Sequence, residues 1–255
     1  MRDREVTIER LRAAGCVFAE DEAALLHEAA RSDAELEAML ARRVNGDPIE
    51  QVVGWAEFCG LRIAVEPGVF VPRRRSEFLV EIAVSLARRG AVVVDVCCGT
   101  GALAAAVMAS VSTSEVHAVE LDPAAVDCAS RNLPDAHVYE GDLYAPLPTR
   151  LHNGVDLVLA NAPYVPSDAV AFMPREAREF EHRIALDGGA DGLDVQRRVI
   201  AEAPGWLAPS GHLLVETSEP QAPVTLALMR ATGLAAHLVT DDDRDATVAI
   251  ATARP

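Results

Sequence analysis

The sequence predicts an α/β fold: a doubly wound, largely parallel sheet with helices on both faces, preceded by a small helical domain and a hairpin connector. Three observations predict it. The stretch Val92 to Gly101, VVVDVCCGTG, is a β-branched run that passes Asp95 and turns through Gly99 and Gly101. That is the pattern of a buried parallel strand entering a helix. From Ala91 onward strand-like and helix-like runs alternate to the end of the chain. The last two apolar runs, Leu234 to Val239 and Thr247 to Ala251, are separated only by a short acidic turn (Asp241, Asp242, Asp243). They must pair antiparallel, because a parallel crossover needs about a dozen residues.

Taken in order, Met1 to about Asn45 reads as three short helices. In the third, Ser32 and Glu35 form a capping box, Leu36, Met39, Leu40 and Val44 share one face, and Gly46 with Pro48 ends it. A short helix follows at Pro48 to Val53. The apolar stripe needs a cover, so residues 1–54 are expected as a helical module packed on a partner or on the rest of the chain. Trp55 to Val71 carries Phe58, Leu61, Ile63, Val65, Phe70 and Val71, broken by Gly60 and Pro67-Gly68, and reads as a β-hairpin connector spanning 55–75. The main domain, 76–255, opens with a helix from Ser76 to Arg89, with Gly90 as its C-cap. Its seven strands are expected near 91–97, 115–120, 136–139, 155–160, 211–216, 234–239 and 246–252. Helices are expected near 101–110, 123–132, 192–207 and 220–232.

Composition narrows the function. With 255 residues, half of them hydrophobic, the chain has ample material for a core. No apolar run approaches the ~18 residues of a membrane span, and Met1 to Glu20 is charged and unlike a signal peptide, so a cytoplasmic location is expected. Five cysteines, two of them adjacent, form neither a disulfide framework nor a zinc pattern, and the seven histidines lack metal-ligand spacing. No metal is expected. The formal charge of −16 repels phosphate backbones and suits a cationic ligand such as a sulfonium. The chain contains no lysine, which removes phosphate-loop and Schiff-base lysines from consideration.

Three further stretches carry chemistry. In HAVELDP, Glu120 ends the second strand about twenty residues past the glycine turn, where a doubly wound fold offers a carboxylate to a ribose diol. In EGDLY, Asp142 and Leu143 follow the third strand and can meet an adenine ring, the acid at its amine and the leucine on its face. The fourth strand ends in Asn161-Ala162-Pro163-Tyr164. An amide nitrogen is a poor nucleophile because its lone pair is delocalised. A site that methylates it should accept both of its hydrogens. Asn161 offers a side-chain oxygen, Pro163 biases Ala162 to an extended conformation that can aim the Ala162 carbonyl inward, and Tyr164 can wall the planar group.

These motifs, in order, resemble the class I S-adenosylmethionine-dependent methyltransferases. More narrowly, the chain is similar to the protein-(glutamine-N(5)) methyltransferases that modify the Gly-Gly-Gln glutamine of peptide chain release factors. The likeness runs through GDPIEQVVGWAEFCGLRIAVEPGVFVPR, DVCCGTGAL, AVELDP, GDLYAPLP, NAPYVP, ALDGGADGLDVQRRVI and HLLVETSEPQ. It implies a Rossmann-like, seven-stranded catalytic domain and a helical domain that helps hold a protein substrate. It further implies that Cys97, Cys98, Gly99, Thr100, Gly101, Glu120 and Leu143 contact S-adenosylmethionine, and that Asn161 to Tyr164 hold the glutamine. Asp142 and Asn161 complete the expected cofactor contacts.

Two departures stand out. Ala162 replaces the family's usual proline, and Pro72-Arg73-Arg74-Arg75-Ser76-Glu77 stands where the family has Pro-Arg-Pro-Glu-Thr-Glu. Cations at a helix start oppose its dipole. The triple arginine is therefore either paired with nearby acids or a dock for an acidic or phosphorylated partner. Other readings of the same motifs are an adenine-N6 nucleic-acid methyltransferase, whose target is also a planar NH2, methylation of a small molecule, and a cofactor-binding interaction module without catalysis. The net charge speaks against nucleic acid.

Overall fold

The computed structural model describes residues 4–255. Four helices come first: α1 (Arg4–Ala13), α2 (Ala19–Ala29), α3 (Asp33–Asn45) and α4 (Ile49–Val53). They enclose a small core of their own, built on Leu11, Ala23, Leu26, Leu36, Leu40 and Val52. At the start of α3 the Ser32 hydroxyl accepts the Glu35 N–H at 3.2 Å. The Glu35 carboxylate takes the Arg31 N–H at 2.8 Å, so only half of the expected capping box forms. Val44 does not join the buried face; it is exposed, and Arg43 is buried instead. The helical repeat explains this, since a residue seven positions after Leu36 lies almost directly above it, whereas one eight positions on has swung well round the axis.

The hairpin pairs β1 (Trp55–Phe58) with β2 (Leu61–Ala64) through Cys59 and Gly60, both at positive φ (49° and 75°), as a two-residue primed turn requires. Residues 65–71 leave the hairpin without forming a strand. A 3-10 turn over Arg74–Ser76 leads into α5 (Glu77–Leu86), which ends three residues before the expected Arg89. Ala87 is already extended, and Gly90 shapes the turn into the first sheet strand and does not cap the helix.

The sheet domain continues as β3 (Ala91–Val96), α6 (Ala102–Ser110), β4 (Thr113–Glu120), α7 (Pro123–Asn132), β5 (His137–Glu140) and β6 (Val155–Ala160). Then come α8 (Arg175–Phe180), α9 (Asp194–Glu202), β7 (Leu207–Thr217), α10 (Ala222–Ala231), β8 (Ala235–Asp241) and β9 (Ala246–Thr252). The short α8 was not anticipated. Helix α9 stops at Glu202 because Pro204 follows, and a 3-10 turn replaces its expected last residues. Strand β7 begins at Leu207, before the expected 211, because Pro209 to Gly211 form an irregularity inside the strand and not its boundary. Leu207 pairs with Val155 and His212 with Leu157 across the resulting register shift.

The seven strands run β5-β4-β3-β6-β7-β9-β8, with β9 antiparallel to both its neighbours. Alternate residues feed two cores. Val93, Leu157, Leu159 and Leu214 pack with α5 and α6, while Val94, Val96, Val158 and Val215 pack with α9 and α10. Among the described residues, no helix is long and apolar enough to cross a membrane. Strand order reverses between β3 and β6, which opens a crevice at their C-terminal ends.

Arg43 ties the helical module to the sheet domain. Its Nε and Nη2 donate to Glu22 at 2.7 and 2.9 Å, and its Nη1 donates to Glu176 of α8 at 2.5 Å. Arg43→Met strands the buried Glu22 carboxylate and is expected to lose about 3–5 kcal/mol in chemical denaturation. Adding Glu22→Gln to that variant should recover part of the loss.

Candidate active site

The crevice is built by register. Val96 pairs with Ala160, so Cys97 and Asn161 leave adjacent strands at the same level. After β3 the backbone turns through Cys97 (φ 57°), Gly99 (φ 55°) and Gly101 (φ 77°). At Gly101 a side chain is excluded twice, by φ and because a Cβ would lie 2.6 Å from Leu133 Cδ1. Asp95, fully buried, accepts the N–H of Ala104 at 3.2 Å and so closes the first turn of α6 onto the strand, while its Oδ1 has no partner. Burial, with Glu120 nearby, pushes the Asp95 carboxyl up to about 8. The same causes raise the thiols of Cys97 and Cys98 well above their usual range, so both are neutral and not nucleophilic.

Glu120 ends β4 facing this turn. Its Oε1 accepts the N–H groups of Leu121 (2.7 Å) and Asp122 (3.0 Å), and its Oε2 accepts that of Gly99 (2.8 Å). A carboxylate offers about four acceptor positions. Three are occupied, so the two hydroxyl bonds expected from the sequence require one of these N–H groups to let go. Asp142 Oδ2 accepts from Arg198 Nη2 at 2.7 Å, both side chains half exposed, which leaves Oδ1 open. Leu143, buried and at φ 50°, lines the same crevice.

On the β6 side the Asn161 amide donates from Nδ2 to the Ser76 hydroxyl at 3.1 Å, which leaves Oδ1 as an open acceptor. Among the described residues nothing donates to the Ala162 carbonyl. Two residues on, the Tyr164 carbonyl accepts from Gln221 Nε2 at 2.9 Å. The glycine-rich stretch after α8 packs against this backbone: a Cβ at Gly192 would lie 2.2 Å from the Tyr164 oxygen. The Tyr164 hydroxyl accepts from Arg75 Nη2. Burial, with Glu216 beside it, pushes the phenol up to about 12, so Tyr164 is neutral.

The three arginines divide. Arg73 donates to the buried Glu181 at 2.5 Å, and Arg75 Nε donates to the buried Glu216 at 3.3 Å, while Arg74 is exposed. Two of the three therefore answer carboxylates of their own chain.

One cavity brings together Cys97, Cys98, Gly99, Thr100, Glu120, Asp142 and Leu143 with Asn161, Ala162, Pro163 and Tyr164. Gly101 is the exception; it lies behind the wall against Leu133. The cavity also takes in Phe58 and Phe70 of the connector region, Arg75 and Ser76, and Arg198 of α9. Arg198 lies within the quoted stretch ALDGGADGLDVQRRVI but has no role there, because nothing in the sequence shows that it meets Asp142. Ser76 stood in plain view within the altered Pro-Arg motif but had no partner until the chain folded. The donor set fits S-adenosylmethionine: a glycine turn for close approach, a strand-end carboxylate, and apolar walls for a planar base.

Fold and cavity define a class I S-adenosylmethionine-dependent methyltransferase. The family model of the methyltransferase small domain matches residues 60–176. A 16S rRNA methyltransferase from T. thermophilus, in complex with AdoMet and guanosine, shares the fold at a TM-score of 0.58 and 22% identity, over 78% of this chain and 50% of that one. The release factor glutamine methyltransferase of Geobacter sulfurreducens is 38% identical over 200 residues, 76% of this chain and 69% of the relative. The chain belongs to the release factor glutamine methyltransferase family. A 4-amino-L-phenylalanine/4-methylamino-L-phenylalanine methyltransferase of Streptomyces pristinaespiralis is 37% identical over 205 residues, 77% of this chain and 70% of the relative.

The buried Asp95 makes stability depend on pH. Its carboxyl titrates near 8 in the folded protein and at about 3.9 in the unfolded chain. Folding therefore raises its proton affinity, and its contribution is complete below about pH 4 and lost as pH rises through about 8. Asp95→Asn keeps an acceptor for Ala104 without the charge. Melting temperatures of both proteins at pH 5 and pH 8 should show the wild type losing ground to Asp95→Asn at the higher pH; an unchanged gap would mean that Asp95 is ionised throughout.

Proposed function

We propose that this protein transfers the sulfonium methyl of S-adenosylmethionine to the side-chain amide nitrogen of a glutamine in a peptide chain release factor. The observation that carries the proposal is the pair of unsatisfied acceptors, Asn161 Oδ1 and the Ala162 carbonyl, on the wall of the cavity that holds the glycine turn and Glu120. Cys97 to Thr100 and Glu120 line the cofactor end, with Asp142 and Leu143 at the adenine. Gly101 supports the turn from behind. When bound, the cofactor supplies an activated methyl on a good leaving group. The protein's share is positioning. Asn161 and Ala162 each accept one N–H of the target, which turns the nitrogen's lone-pair face toward the methyl. Neutral Tyr164 walls the planar group. An amide oxygen and a backbone carbonyl are too weakly basic to take the proton that the nitrogen sheds, so it leaves to solvent.

A second reading has one observation in its favour, the similarity to the aminophenylalanine methyltransferase. An arylamine nitrogen, like an amide nitrogen, is conjugated and carries two hydrogens, so the same two acceptors serve it. Radiolabelled S-adenosylmethionine offered with release factors, with 4-amino-L-phenylalanine and with a cell lysate separates the readings. Label on the glutamine of a Gly-Gly-Gln peptide establishes the first; label only on the amino acid establishes the second. Label on nucleic acid would overturn both. Asn161→Ala should reduce turnover by about 100-fold or more while cofactor affinity changes little, and a fully active Asn161→Ala protein would remove that residue from the mechanism.

A further inference from the structure

The guanidinium groups of Arg73 and Arg75 line the cavity together with Asn161, Ala162 and Tyr164, and methyl transfer as such needs neither. Both are fixed in the same way. Arg73 lies over the Phe70 ring at 4.8 Å and donates from Nη2 to Glu181. Arg75 lies over the Tyr164 ring at 5.7 Å, donating from Nε to Glu216 at 3.3 Å and from Nη2 to the Tyr164 hydroxyl. The two glutamates are buried and stand outside the cavity lining. Ser76, the residue after Arg75, accepts from Asn161 Nδ2 at 3.1 Å, which brings Arg75 to the same end of the cavity.

A guanidinium carries five N–H donors in a rigid fork. Glu216 and Tyr164 take one edge of Arg75, its Nε hydrogen and one from Nη2. The end edge, formed by Nη1 and the second Nη2 hydrogen, has no acceptor among the described residues. Two parallel N–H groups at a planar end match the two oxygens of a carboxylate. The Arg75 side chain is 40% exposed against 3% for Glu216, so the pair is sealed on the glutamate side and open on the other. The catalytic cavity offers no competing acid at this end. Its lining carboxylates, Glu120 and Asp142, belong to the cofactor end, and Asp142 is met by Arg198. Arg75 also borders a second cavity, but there Glu57, Glu77 and Asp243 match Arg74, Arg75 and Arg244 charge for charge. In a chain of net charge −16, the substrate end of the catalytic cavity is a local reversal of sign. Position 75 is also where the pattern Pro-Arg-Pro-Glu-Thr-Glu has glutamate, so this chain inverts the charge there.

We propose that Arg75, with Arg73 beside it, forms a carboxylate subsite in the catalytic cavity, and that the preferred methyl acceptor carries a carboxylate within reach of the nitrogen that is methylated. This rests on the reading above that the nitrogen lies against Asn161 and Ala162. The carboxylate has two sources, the α-carboxylate of a free amino acid or an acidic side chain beside the glutamine of a protein. Held from behind by Glu216 and Tyr164, the fork is in place before the ligand arrives, so binding costs little ordering of the site. Phe58, Phe70 and Tyr164 give the same cavity flat faces for the body of the acceptor.

The test measures binding to the full-length protein loaded with S-adenosylhomocysteine, by calorimetry and without turnover. One arm compares 4-amino-L-phenylalanine with its carboxamide. The other compares Gly-Gly-Gln peptides, blocked at both ends, with Asp or with Asn beside the glutamine. In at least one arm the carboxylate should bind about 10- to 100-fold more tightly than its amide, and Arg75→Gln should cut that preference to about twofold or less. A preference in the first arm alone assigns the subsite to free amino acids, and in the second alone to an acidic neighbour in a protein. Arg75→Gln strands the buried Glu216 carboxylate, so Arg75→Gln/Glu216→Gln, which removes that charge, is measured beside it. No preference in either arm of the wild type would overturn the proposal, as would a preference that survives in both variants. So would an Arg75→Gln protein that loses affinity for S-adenosylhomocysteine instead, since the cofactor's own carboxylate would then occupy the fork. Turnover on the same ligands is read separately. A carboxylate preference in binding with no methyl on any ligand leaves the subsite standing and refutes the acceptors named above.

Discussion

The catalytic end of this molecule depends on the parallel pairing of β3 with β6. Those strands are neighbours in space and some sixty residues apart in the chain, and their register places Val96 beside Ala160. Each strand then delivers a different loop to the same level, the glycine turn from one and Asn161 to Tyr164 from the other. A one-residue slip would turn every side chain of β6 to the opposite face and expose Leu157 or Leu159 to the wrong layer. Burial on both faces of the sheet thus enforces the geometry of the site. The core needs that register for packing, and the site inherits it.

Around this frame the chain places carboxylates in unusually buried settings. Glu22, Asp95, Glu181 and Glu216 are all at or below 7% exposure in a protein that has no lysine. Three of the four are answered by arginine: Glu22 by Arg43, Glu181 by Arg73 and Glu216 by Arg75. Guanidinium suits this use because its planar fork bonds to carboxylates with fixed geometry and keeps its charge when desolvated. Asp95 has only a backbone N–H and holds its proton instead. The arginine cluster that looks like an exposed basic patch in the sequence is mostly turned inward. Its cations join the connector to the residue after α8, Glu181, and to Glu216 near the end of β7.

At the substrate end, the same two acceptors suit any planar nitrogen that bears two hydrogens. Amide and arylamine differ less at that atom than in what surrounds it. Phe58, Phe70, Arg73 and Arg75 line the same cavity as Asn161 and Ala162. The wall combines apolar faces with two guanidinium groups already engaged by Glu181 and Glu216.

Much of this was legible in the sequence. The alternation from Ala91 onward determined the α/β class, the short acidic turn determined the antiparallel end, and the residues after the strands named the cavity that formed. Such features are local: a β-branched run, a glycine turn and a proline each constrain their own few residues, so they can be read without neighbours. Tertiary structure alone decided the rest. The helical repeat puts Arg43 rather than Val44 on the inner face, but that its charge is met there follows from Glu22 and Glu176, and that Gly101 stands behind the wall follows from Leu133. That Gly99 donates to Glu120, that Asp142 meets Arg198, and that Asn161 donates to Ser76 are contacts across wide sequence separations. A hydrogen bond belongs to two partners, and the sequence shows each partner only beside its own neighbours.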